Sequence, residues 1–62
     1  SQLTPREIQV ASLIKDGLTT KDIAKLLRLS TNTIDIYRQN IRKKSNLRNR
    51  KVNLQTFFSS LV

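Results

Sequence analysis

An all-α fold, a compact four-helix bundle, is what this sequence predicts. Apolar residues recur every three or four positions in four successive segments, the period of one helix face. Residues that start and stop helices punctuate those segments. No stretch alternates apolar and polar residues as a half-buried strand does. The 62 residues allow a single domain, taken as 1–62. A domain of that size buries only about 60% of the surface its unfolded chain exposes, so its core has to pack well.

The first helix is predicted over about residues 5–16, within "LTPREIQVASLIKDG". Thr4 is the N-cap, Pro5 suits the first helical position and Glu7 completes a T-x-x-E capping box. Leu3 and Ile8 take the two staple positions around that cap. Val10, Ala11, Ile14 and Leu18 form the apolar stripe, and Gly17 supplies a left-handed stop. The second helix, about 20–28, starts from Thr19 with Asp22 three residues on. Its buried side is expected to be Ile23, Ala24, Leu26 and Leu27.

The third helix lies in "STNTIDIYRQNIRKKSNL", about 31–45, with Ser30 as N-cap. Ile34, Tyr37 and Ile41 share one inward face. Ser45 prolongs that row and packs poorly there. Asn46 tolerates the left-handed conformation of a helix stop, and Leu47 returns to the core. The fourth helix, roughly 50–60 with Asn49 as cap, carries Leu54, Phe57, Phe58 and Leu61 as a broad apolar stripe.

Lys and Arg number 12 against four acids, giving a net charge of +8 and an isoelectric point near 11.0. Seven of the basic residues fall between Arg38 and Lys51. Such asymmetry points to nucleic acid or an anionic surface. There is no cysteine and no histidine, which removes disulfides and the usual zinc patterns. The acids Glu7, Asp16, Asp22 and Asp35 are scattered. No metal, cofactor or small-molecule ligand is therefore expected. An enzyme is not expected either, without His, Cys, paired carboxylates or a glycine-rich phosphate loop. No apolar run is long enough to span a bilayer. The most basic helix turns its apolar side to the core, so no membrane-surface role is expected. The N-terminus lacks the apolar region of a signal peptide. With no initiator Met, the chain reads as a fragment of a longer, cytoplasmic protein.

The turn around Arg28–Ser30 is very short, and two short helices so joined form a helix-turn-helix. Its second helix is the one that enters the major groove of double-stranded DNA. At about 100° per residue, Asn32, Ile36, Gln39 and Lys43 gather opposite Ile34, Tyr37 and Ile41, with Asp35 and Arg42 along one edge. Asn32, Asp35, Ile36 and Gln39 are the candidate base readers, since amides, carboxylates and apolar groups each match base edges. Arg38, Arg42, Lys43 and Lys44 can neutralise phosphates. Thr20 and Lys21 open the second helix, whose first amides carry partial positive charge. Thr31 and Thr33 can add hydroxyl contacts to the backbone, whereas Thr19 serves mainly as a cap. Asp35 is the anomaly. It can accept from a cytosine amino group, pair with Arg38 or Gln39, repel phosphate, or favour the helix dipole.

The fourth helix is apolar beyond one narrow seam. Some of Val52, Leu54, Phe58, Leu61 and Val62 must face outward in so small a monomer. Val52, Leu54, Phe58 and Leu61 are expected to make a weak homodimer contact. Two half-sites about 34 Å apart would then be read.

The stretches "LTPRE" at 3–7, "KDIAKLL" at 21–27, "LSTNTI" at 29–34, "NIRKKSNL" at 40–47 and "NR" at 49–50, in this order, resemble the LuxR-type (GerE-like) helix-turn-helix family of bacterial regulators. The resemblance covers nearly the whole chain. It implies a four-helix DNA-binding domain in transcription regulation, with the third helix in the major groove and pairing through the fourth. It also implies a C-terminal position, behind an upstream sensor or receiver domain that activates or dimerises it. Tyr37 stands where the family often has His, and Ser45-Asn46 where many members have Leu-Gly. Asp35 stands where many have a DNA-contacting Lys. Two other readings stay open: promoter recognition like the last region of a sigma factor, and a helical protein-interaction module that does not bind DNA.

Overall fold

The computed structural model describes residues 2–45 and 53–60. It holds α1 (Pro5–Lys15), α2 (Thr20–Leu27), α3 (Thr31–Lys44) and α4 (Leu54–Ser60). Among the described residues there is no strand. The α1 helix packs against both α3 and α4, and α2 packs against α3.

Reciprocal caps start the first two helices. Glu7 N–H donates to Thr4 Oγ1 (3.2 Å) while Thr4 N–H donates to Glu7 Oε1 (2.8 Å). The same pair of bonds joins Thr19 and Asp22 at 3.1 and 3.2 Å. Each box satisfies two amides that a helix start leaves unpaired. Ser30 caps α3, its Oγ accepting from Thr33 N–H at 3.1 Å.

The α1 and α2 helices also end alike. Gly17 N–H donates to Ile14 O and Leu18 N–H to Leu13 O. Eleven residues on, Arg28 N–H donates to Lys25 O and Leu29 N–H to Ala24 O. Both are the paired closure that needs a left-handed residue, and Gly17 (φ 94) and Arg28 (φ 57) provide it. A Cβ at Gly17 would meet only the end of the exposed Gln55 side chain, at 3.2 Å, so it is the conformation that asks for glycine here. Arg28 takes the same conformation without glycine's freedom, which costs an L-residue about 1–2 kcal/mol. Leu18 and Leu29 then turn back against the core, and Thr19 and Ser30 open the next helix.

The core is Val10, Ala11 and Ile14 of α1, Ile23 and Ala24 of α2, Ile34 and Ile41 of α3, and Leu54 of α4. Val10, Ile23, Ile34, Ile41 and Leu54 are fully buried, each stabilising the fold by about 1.5–3 kcal/mol relative to exposure. Tyr37, Phe57 and Phe58 pack around this set. The two phenylalanine rings meet edge to face, centroids 5.4 Å apart.

Three expectations need correction. Leu26 is 60% exposed rather than buried, because Ile23, Ala24 and Leu27 already fill the inward arc of α2. The fourth helix starts at Leu54, and Asn53 precedes it as non-helical backbone. Asn53 Oδ1 accepts from Gln55 and Thr56 N–H at 2.9 and 3.3 Å, which makes Asn53 the cap. The α3 helix stops at Lys44, with Ser45 as its C-cap. Asn46, Leu47, Asn49, Val52, Leu61 and Val62 lie outside the described residues.

Candidate nucleic-acid interface

The α3 helix has two faces of opposite character. Ile34 and Ile41 are fully buried on one side. Asn32, Asp35, Ile36, Gln39 and Lys43 are all exposed on the other. Ile36, 57% exposed, is a large aliphatic group in the middle of a polar face. From Asn32 to Gln39 the helix rises about 10 Å, the length of about three base pairs.

The residues expected to contact phosphate differ in exposure. Lys21 and Thr31 are exposed, and Thr20, Thr33, Arg38 and Arg42 are half-buried. Thr33 Oγ1 shares a 2.9 Å hydrogen bond with Ser30 Oγ, so its hydroxyl already has one partner. Burial of Arg38 lowers its pKa, repulsion from Arg42 adds to this, and the negative charge of Asp35 acts against both. Its guanidinium still stays charged at neutral pH.

Lys44 has another task. Its Nζ lies 2.7 Å from Glu7 Oε1, an ion pair that joins the start of α1 to the end of α3. Glu7 is only 3% exposed, the one buried charged residue described. Its carboxylate therefore serves the Thr4 cap and Lys44 together. The Lys44 hydrogen bond, followed by the Thr4 amide, holds the Glu7 pKa below its ordinary value. Lys44 is thus engaged by Glu7 rather than left free for phosphate as its sequence position suggests. The pair spans 37 positions, so no local pattern announces it. The left-handed Arg28 had a signal that could have found it, since Arg28-Leu29-Ser30 repeats the order of Gly17-Leu18-Thr19.

On α4, Leu54 is fully buried. Its side chain belongs to this chain's own core and offers no surface to a partner. Phe58 is half-buried and lines a shallow apolar groove with Leu3, Ile8, Ala11, Ser12 and Lys15. Among the described residues no helix is long and apolar enough to cross a membrane.

With this arrangement in view, comparison with known proteins gives the class. Residues 1–56 match the family model of bacterial regulatory proteins of the luxR family. The chain belongs to that family, and it is a helix-turn-helix domain for DNA binding in transcription regulation. Among curated proteins it is 50% identical over 44 residues to the "Uncharacterized response regulatory protein YgeK" of Escherichia coli (strain K12), covering 71% of this chain and 30% of that protein. It is 44% identical over 48 residues to "Probable transcriptional regulator ycf29" of Porphyra purpurea, covering 77% of this chain and 23% of the relative. It is 38% identical over 50 residues to the nitrate/nitrite response regulator protein NarP of Escherichia coli (strain K12), covering 81% and 23%. The chain thus spans less than a third of the length of these relatives. No solved structure matches it significantly.

Proposed function

We propose that the domain seats α3 in the major groove of double-stranded DNA, where Asn32, Asp35, Ile36 and Gln39 read bases. Thr20, Lys21, Thr31, Thr33, Arg38, Arg42 and Lys43 hold the flanking phosphates. One observation carries the reading: the exposed, chemically mixed face of α3 stands directly opposite its fully buried isoleucines. If about five phosphates are neutralised, log affinity falls with log salt at a slope near −4 to −5. The test is a selected duplex whose half-site purines are replaced by 7-deazapurines, which lack one major-groove acceptor. Weaker binding is expected, and unchanged binding contradicts groove docking.

The domain works as one part of a longer cytoplasmic regulator whose upstream sensor or receiver domain controls pairing. Response regulators among its relatives support this reading. In the paired state, Phe58 with Val52 and Leu61 makes a weak contact between two copies. Leu54 supports it from within the core. Sedimentation with and without a two-half-site duplex tests this. Only monomers, even on DNA, would refute it.

A further inference from the structure

Asp35 is an exposed carboxylate in the middle of the most basic helix of a chain carrying +8. Three structural duties could account for it, and the structure supports none. It does not serve the helix dipole, because it is the fifth residue of α3 and no acid occupies the first turn. The dipole effect fades beyond that turn. It does not cap, since Ser30 Oγ does that work by accepting from Thr33 N–H. It forms no ion pair, the Glu7–Lys44 pair being the only one among the described residues. Arg38 feels its charge only as the weakest of three influences. Nor does the Asp35 carboxylate accept a hydrogen bond from any described residue. A phosphate-binding role is excluded by sign.

What remains is its position. Asp35 stands one turn before Gln39 and beside Ile36, within the face proposed to meet the groove. A carboxylate only accepts hydrogen bonds. In the major groove, guanine presents two acceptors and thymine one acceptor with a methyl group. Adenine presents a donor beside an acceptor, and cytosine presents its amino donor. Cytosine is the one base that offers a carboxylate a donor with no acceptor of its own in the groove.

We infer that Asp35 is a specificity residue that accepts a hydrogen bond from the amino group of one cytosine in each half-site. The inference rests on groove docking by α3 and names part of the sequence it reads. Its carboxylate also disfavours guanine and thymine at that position by placing acceptor against acceptor. The domain thereby trades some general attraction to DNA for discrimination.

The experiment selects duplexes from a randomised pool with the 62-residue chain and with Asp35→Ala and Asp35→Asn. The affinity of all three for an unselected duplex is measured at one salt concentration. The wild-type chain is expected to select cytosine at one half-site position. Exchanging that base for thymine should weaken binding about tenfold. Asp35→Ala should lose the preference there and keep the others. Asp35→Asn should move it toward adenine, which pairs an asparagine amide through two bonds. Preferences unchanged at every position, with Asp35→Ala simply tighter on all duplexes, would overturn the inference and leave groove docking standing. No binding of the wild-type chain to any duplex at low salt would overturn both.

Discussion

Lys43 and Lys44 are neighbours in sequence with opposite expected roles, and replacing each with glutamine separates them. Lys43 is exposed on the outward face of α3. Lys44 is held 2.7 Å from a buried Glu7. Each phosphate contact contributes about 0.9 to the salt slope. With about five contacts, raising salt from roughly 0.05 to 0.2 M should weaken the wild-type chain about 500-fold. Lys43→Gln, with one contact fewer, should weaken only about 150-fold over the same range. Lys44→Gln should keep the wild-type slope and lose stability instead, because Glu7 stays buried without its counter-charge. The assay is fluorescence anisotropy on a labelled duplex at four salt concentrations, paired with urea unfolding of each variant. If Lys44→Gln flattens the slope as much as Lys43→Gln, then Lys44 leaves Glu7 for phosphate and the brace is not part of the bound state.

Other outcomes follow from single residues. Arg28→Gly should stabilise the chain by about 1 kcal/mol, because glycine adopts the φ 57 backbone freely. That raises the melting temperature by about 4–8 °C, measurable by circular dichroism. Ile34→Ala should cost about 2–5 kcal/mol in urea unfolding, because its fully buried side chain leaves a cavity. Ile36→Ala, at a 57% exposed site, should stay within about 0.5 kcal/mol of wild type while weakening binding to a selected site. Acid should unfold the chain through Glu7. Its pKa is lower in the folded state, so the stability it confers is complete above its ordinary value near 4.5 and lost as pH falls through the depressed value. Asp22 acts in the same sense from about 3.8, held by the Thr19 amide. The urea midpoint should fall below these values, and fall less in Glu7→Gln.

The elements that rest on local chemistry were legible in the sequence. Thr4, Thr19 and Ser30 cap their helices as hydroxyl residues before helical periodicity do. Gly17 stops α1 in the left-handed region. The inward row Ile34–Ile41 followed from the helical period. What was not legible depends on neighbours distant in the chain. Leu26 has the hydrophobicity of a core residue, and only the positions of Ile23, Ala24 and Leu27 around the α2–α3 contact show the inward arc to be full. Glu7 announced its cap but not its ion pair, since Lys44 comes within reach only when the fold closes. Asn49 and Asn53 are both good caps, and local sequence does not choose between them. For the reading face, periodicity grouped Asn32, Ile36, Gln39 and Lys43, and all are exposed in the structure. Whether and which bases this proposed reading face meets is set by the duplex, a partner that the sequence of the chain does not contain.

Under the proposed function, the outward face of α3, assisted by the start of α2, works as one groove-docking surface. A backbone-amide NMR titration with a mixed-sequence duplex at low and at higher salt tests it most directly. Groove docking predicts shifts that cluster on Thr20 and Lys21 and on Thr31 through Lys43, and that fade as salt rises. Shifts that are absent, or that scatter over every lysine and arginine, would contradict it.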